Sequence, residues 1–188
     1  MKPIQIVKFT DGVWTSEIGP SLMHPRFGQC GISSENNIYI VGGKGEAGIL
    51  ESMEVINMEQ RTVSSSADWV SPHQRWGSTC LPYLDTMVLM GGMDSFFIPH
   101  SNVDMLDLSS MTWSQGPHLP WPQSGAAGVV TQGGPTLFSG FNGLGLDQRV
   151  ATMDSEDHWT SWEQEMLSAR ISGASVAIPS DFMDICQY

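Results

Sequence analysis

The chain of 188 residues is long enough to bury one sizeable core, and its 15% charged and 40% hydrophobic residues, with 20 Gly and 11 Pro, suit many short strands and tight turns and argue against a helical bundle. Eight Lys+Arg against 20 Asp+Glu give a formal net charge of −12. That field repels phosphate backbones and anionic membrane surfaces, so we expect no nucleic-acid and no membrane partner.

In chain order, residues 4–9 and the stretch around Trp14 predict two strands. The next unit opens at Arg26 and carries the apolar run Asn37-Ile38-Tyr39-Ile40-Val41 before Gly42-Gly43, then Ser52-Met53-Glu54-Val55-Ile56-Asn57. From Arg75, residues 77–81 read as a short strand and 82–85 as a turn. Thr86-Met87-Val88-Leu89-Met90 is a continuous apolar run ending at Gly91-Gly92. Such a run bounded by turn residues fits a strand buried on both faces. A polar loop through Asn102 leads to a strand over 103–108 and an outer strand from Met111. From Ser124 the same order returns, with Pro135-Thr136-Leu137-Phe138 before Ser139-Gly140, then residues 148–153. Residues 173–178 and 181–185 predict the last two strands.

Two markers run through these units in phase. Trp14, Val63, Trp113 and Trp159 recur at intervals of 49, 50 and 46 residues, and Arg26, Arg75, Ser124 and Arg170 follow them 12, 12, 11 and 11 residues downstream. One unit has been written almost four times. A four-stranded sheet cannot bury both faces alone, and stacking such sheets radially does so while limiting exposed edges. The paired glycines allow positive φ and close approach, and the tryptophans offer apolar area between neighbouring sheets.

The double glycine after an apolar strand, the later Trp and the Arg opening the next unit resemble the kelch repeat over nearly the whole chain. The departures are Val63 for Trp, Ser139-Gly140 for the double glycine and Ser124 for Arg. The resemblance implies an all-β, kelch-type β-propeller of about four blades of four antiparallel strands. Residues 1–25 form a half blade, 26–74, 75–123 and 124–169 three whole blades, and 170–188 a second half. Pairing of the two halves closes a ring of four. Because propellers of this family more often have five to seven blades, we expect a partial one, whose open blade edges allow self-association.

Chemistry-bearing motifs are few. Gly43-Lys44-Gly45-Glu46-Ala47-Gly48 matches G-x-G-x-x-G after a strand, but it aligns with Gly91-Gly92 and precedes a strand in every unit, so it reads as a turn. Cys30, Cys80 and Cys186 contain no C-x-x-C pair and are expected as free thiols, Cys30 and Cys80 being buried small hydrophobes at near-equivalent strand positions; a bridge to Cys186 stays open. His24, His73, His100, His118 and His158 lack metal-ligand spacing and read as solvent-facing loop residues. The odd spacing of Asp104 and Asp107 puts them on opposite faces of a strand, unsuited to joint acid–base work. We expect no cofactor, no metal and no catalysis.

Binding is better served. Phe96, Phe97, Ile98 and His100 form an aromatic cluster on one loop, and Trp121 sits between two prolines in a linker. These are candidate interface anchors, the alternative being that the rings fold back to cap the core. Arg26, Arg75 and Arg170 are further candidates, since kelch substrate adaptors bind acidic peptides through arginines near the central channel; a structural role is the competing reading. The resemblance implies a non-catalytic module binding a protein or peptide, with a ubiquitin-ligase substrate adaptor as one form of it. The alternatives are a galactose-oxidase-like or sugar-acting enzyme and an extracellular recognition module. Met1-Lys2-Pro3-Ile4-Gln5 begins no signal peptide and no N-x-S/T sequon occurs, so a cytoplasmic location is expected unless a signal lies upstream.

Overall fold

The computed structural model describes residues 3–175. Strands β1 (Gln5–Thr10) and β2 (Val13–Ile18) form a hairpin. The first sheet contains β3 (Cys30–Ser34) and β4 (Asn37–Val41); a small hairpin, β5 (Lys44–Gly45) and β6 (Gly48–Ile49), then leads to its remaining strands, β7 (Met53–Asn57) and β8 (Thr62–Ser64). The second sheet is β9 (Thr79–Tyr83), β10 (Thr86–Met90), β11 (Val103–Asp107) and β12 (Thr112–Gln115). The third is β13 (Ala127–Thr131), β14 (Gly134–Phe141), β15 (Leu146–Met153) and β16 (Trp159–Ser161). Every pairing is antiparallel and each four-stranded sheet follows chain order. The first strands lie side by side, β3 against β9 and β9 against β13, which gives a propeller-like row of sheets. The strand expected over 181–185 lies outside the described residues, as do residues 176–178 of that expected over 173–178.

Packing follows from the apolar pattern. One core cluster joins Tyr39, Val41 and Met53 of the first sheet to Met87, Leu89 and Leu106 of the second, with Trp113 packed against it. Another joins Leu81, Val88 and Met90 to Leu137 of the third, with Trp159 against it. Strand β10 is therefore covered on both faces, as its unbroken apolar run requires. The recurring marker occupies the fourth strand of each four-stranded sheet: Val63 opposes Ile56, Trp113 opposes Leu106, and Trp159 opposes Met153.

The glycine pair has a steric cause. Gly91 adopts φ +59°, and a Cβ there would come within 2.2 Å of the Gln123 carbonyl. No side chain fits, because the next linker passes directly over the end of β10. In the third sheet Ser139 stands at this position with φ +59°. Its hydroxyl lies within hydrogen-bond distance of the carbonyls of Asp147 (2.6 Å) and Arg170 (2.8 Å), to one of which it donates its single proton, and it accepts from the Arg170 amide.

Cys30 and Cys80, expected as separate buried thiols, are joined in a disulfide with their Cα atoms 5.8 Å apart. The expectation fails because the first strands of consecutive sheets lie next to one another. Near-equivalent positions, 50 residues apart in sequence, therefore face each other. The G-x-G-x-x-G segment is the β5–β6 hairpin, and β7 follows it where a dinucleotide fold needs a helix.

Candidate protein-interaction surface

Two of the marker arginines hold the sheets together from inside. Arg26 donates from Nη1 to the carbonyls of Gly42 and Ser52, each at 2.8 Å, and from Nη2 to Glu54 at 2.6 Å. Both charged side chains are buried. Arg75, 1% exposed, donates to the carbonyls of Gly91 and Asn102, each at 3.0 Å, and pairs with Asp104. Burial holds the Arg75 guanidinium down to about 10. Buried in this way, these two arginines fit the structural role weighed against interface contact in the sequence. Each ties its sheet's glycine pair to the third strand, where a buried guanidinium needs a carboxylate.

The third sheet provides an internal control. Glu54 opposes Ile40, two residues before Gly42, and Asp104 opposes Leu89, two before Gly91. The corresponding residue, opposite Leu137 and two before Ser139, is Ala151. Ser124 replaces the arginine in that same sheet, so cation and acid are lost together.

His24 and His73 share this design. His73 Nδ1 lies 3.0 Å from Asp104 Oδ2, and its Nε2 lies 3.3 Å from the Asn102 amide nitrogen. Desolvation, and then the charge of Arg75, lower its pKa below the usual imidazole value; Nδ1 also lies 3.4 Å from Arg75 Nη2. His24 Nδ1 stands 3.6 Å from Glu54 in the same relation. His24, its side chain 56% exposed, is the solvent-facing loop residue expected, whereas His73 is half-buried and departs from that expectation. A His–Asp pair of this kind positions general bases in hydrolases, but here Asn102 engages the outer nitrogen and the buried arginine takes the carboxylate. Among the described residues no group of three or more His, Cys, Asp or Glu side chains is placed to hold a metal ion.

The aromatic loop behaves differently. Phe96 is 80% and Phe97 58% exposed, and Ile98 is exposed beside them. The loop is nonetheless pinned. Met93 bridges both Trp76 and Pro99, and Asp94 Oδ1 accepts from the amides of Phe96 (2.8 Å) and Ile98 (3.0 Å). Phe97 has φ +62°, a costly conformation for a bulky residue. Its ring meets Trp76 edge to face at 5.5 Å, and Trp76 meets Phe27 at 5.9 Å. Lys44 Nζ sits 6.0 Å from the Trp76 ring and 5.8 Å from that of Phe97, within cation–π range. Lys44 makes no ion pair among the described residues. Phe27, 57% exposed, extends this to a surface of three rings, two of which, Trp76 and Phe97, flank the ammonium.

The other candidates fall elsewhere. His100 is half-buried, its pKa lowered chiefly by desolvation, and its backbone ties the loop to Gly92 and Gln123. Trp121 is only 8% exposed and lies under Arg149, whose guanidinium carbon is 4.1 Å from the ring centroid; it packs and does not anchor. Arg170 is exposed, and its carbonyl accepts from Gly140. The sequence reading missed Phe27, Trp76 and Lys44. The repeat could have found the first two, since each directly follows a marker arginine.

No family model matches the chain, and no curated protein does. A search of solved structures finds YjhT, which superposes with a TM-score of 0.74 at 14% identity, covering 86% of this chain and 58% of YjhT. At that identity the likeness shows the fold alone. The chain thus spans somewhat over half of YjhT's length, in a β-rich, propeller-like arrangement.

Proposed function

We propose that this chain is a non-catalytic, kelch-type interaction module that binds an apolar peptide or protein segment on the Phe27–Trp76–Phe97 surface. The observation that carries the reading is Phe97: exposed, held at positive φ, and fixed by Asp94 and Trp76. Strain kept in a bulky, solvent-facing residue marks a position selected for what it presents. Rigid aromatic rings lose little entropy on contact, which makes them efficient anchors. The formal charge of −12 disfavours a strongly acidic partner and leaves Lys44 to receive at most a local carboxylate.

Selection of a displayed peptide library on the immobilised protein tests this. Enriched peptides should lose at least about tenfold in affinity for Phe97→Ser or Trp76→Ser. Failure to enrich any sequence, or equal binding to both variants, would count against the reading. The Cys30–Cys80 disulfide favours the extracellular alternative over a cytoplasmic location, since such bonds persist in oxidising compartments.

A further inference from the structure

The aromatic surface is assembled from two sheets. Phe27 and Lys44 belong to the first, tied together by reciprocal backbone hydrogen bonds of 3.1 and 2.8 Å. Trp76 and the Phe97 loop belong to the second, tied in the same way through Met93 at 3.1 and 2.9 Å. Between the halves run two backbone hydrogen bonds, Gly77 N to Gly28 O (2.8 Å) and Gly43 N to Arg75 O (3.1 Å). The Cys30–Cys80 bond is the one covalent link between them besides the chain itself, only a few residues beyond Phe27 and Trp76.

The following junctions show what this link adds. Gly125 N donates to Gly77 O and Gly92 N to Gln123 O between the second and third sheets; Ser172 N to Gly125 O and Gly140 N to Arg170 O follow. The hydrogen-bond pattern repeats, but neither later junction has a disulfide, and the position after the marker is Gly125 in one and Ile171 in the other. Cross-link and composite aromatic surface therefore coincide at a single junction.

We propose that the Cys30–Cys80 disulfide is a redox lock on this surface, keeping Phe27 and Lys44 aligned with Trp76 and Phe97, and that reduction loosens this junction selectively. This rests on the proposed binding surface for its biological meaning but not for its test. The lock forms by exchange with a small-molecule disulfide such as glutathione disulfide. Two protein S–H bonds are replaced by one S–S bond, and the two electrons and two protons leave on two molecules of glutathione. Reduction by a dithiol is the reverse, the dithiol becoming the disulfide.

Amide hydrogen exchange on the intact chain, before and after dithiothreitol, reads the junctions separately. Peptide mapping under non-reducing conditions establishes the redox state of each sample, including Cys186. On reduction, exchange at Gly43 and Gly77 should accelerate by about tenfold or more beyond any acceleration at Gly92, Gly125 and Gly140 that follows from the loss of global stability. The double variant Cys30→Ala/Cys80→Ala should behave like the reduced protein and be insensitive to dithiothreitol. Equal exchange in both redox states overturns the lock, and so does uniform acceleration at every junction, which would make the bond a global staple. If library selection finds no ligand while the exchange contrast holds, the binding reading fails and the lock stands. If selected peptides bind but exchange is redox-independent, the lock fails and the binding reading stands.

Discussion

At the scale of the residue, the buried ion pairs matter most. A guanidinium taken out of water is tolerable only beside a carboxylate and with its remaining N–H groups on carbonyls, the arrangement of Arg26 with Glu54 and of Arg75 with Asp104. Removing one partner leaves an uncompensated charge. We expect Asp104→Ala to cost about 3–5 kcal/mol in urea unfolding, and Arg75→Met/Asp104→Leu to recover much of it, as the Ser124 and Ala151 of the third sheet suggest. Additive single costs would show that the two residues do not act as a unit. Glu17 provides a contrasting, partly exposed case. Hydrogen bonds from Arg61 and then Lys8 depress its pKa from 4.5 to about 2. A depressed carboxylate stabilises the fold above its unfolded pKa, and that contribution fades as pH falls from 4.5 through about 2. Glu17→Gln should flatten the acid-induced rise in hydrogen exchange of β1 and β2, and added salt should shrink the difference because the group is solvated. An unchanged acid profile in Glu17→Gln would remove the ion pair from the account.

At the scale of the element, the strands were legible wherever burial alone decides them. The apolar run of β10 falls at its expected place because a strand covered on both faces must be continuously apolar, and the third strands β7, β11 and β15, which carry Glu54, Asp104 and Asp147, fall close to theirs through the register of the repeat. Boundaries moved where backbone pairing overrides composition. Pro82 reads as a turn residue but lies in β9 opposite Met87, so the hairpin turn is confined to Leu84 and Asp85. Leu84 there has φ +52° and is 84% exposed. Leu84→Gly should therefore raise stability by about 1 kcal/mol, relieving a left-handed conformation without losing buried contact. A thermal midpoint that fails to rise would mean that Leu84 packs usefully or that glycine's unfolded-state entropy cancels the gain. Both rings of the Phe96-Phe97 pair were marked by sequence as aromatic loop residues. Their outward presentation required the Asx turn at Asp94 and the bridge from Met93, which no local composition reports.

For the whole molecule, the disulfide carries the sharpest consequence. It closes 50 residues of sequence, which restricts the unfolded chain, and Cys30→Ala/Cys80→Ala should lower the unfolding free energy by about 2–4 kcal/mol. A denaturant midpoint unaffected by the double variant would deny the bond a role in equilibrium stability. Its partners could not be chosen from sequence, since three cysteines without a framework spacing allow every pairing. The composite surface was only half legible: the repeat places Phe27 and Trp76 at equivalent positions, but nothing along the chain joins them to Lys44 and Phe97.

The period of the markers by itself determined the all-β class, the order of strands and the fourth-strand place of Val63, Trp113 and Trp159. A repeated sheet must bury its faces on copies of itself, so periodic burial is written directly into periodic sequence. What the tertiary structure decided was which positions meet between copies. It paired Cys30 with Cys80, drew Arg26 and Arg75 inward, buried Trp121 under Arg149, and left Phe97 facing water beside Trp76. Those outcomes depend on distances between neighbouring sheets, and a one-dimensional pattern records the spacing along the chain but not the spacing across it.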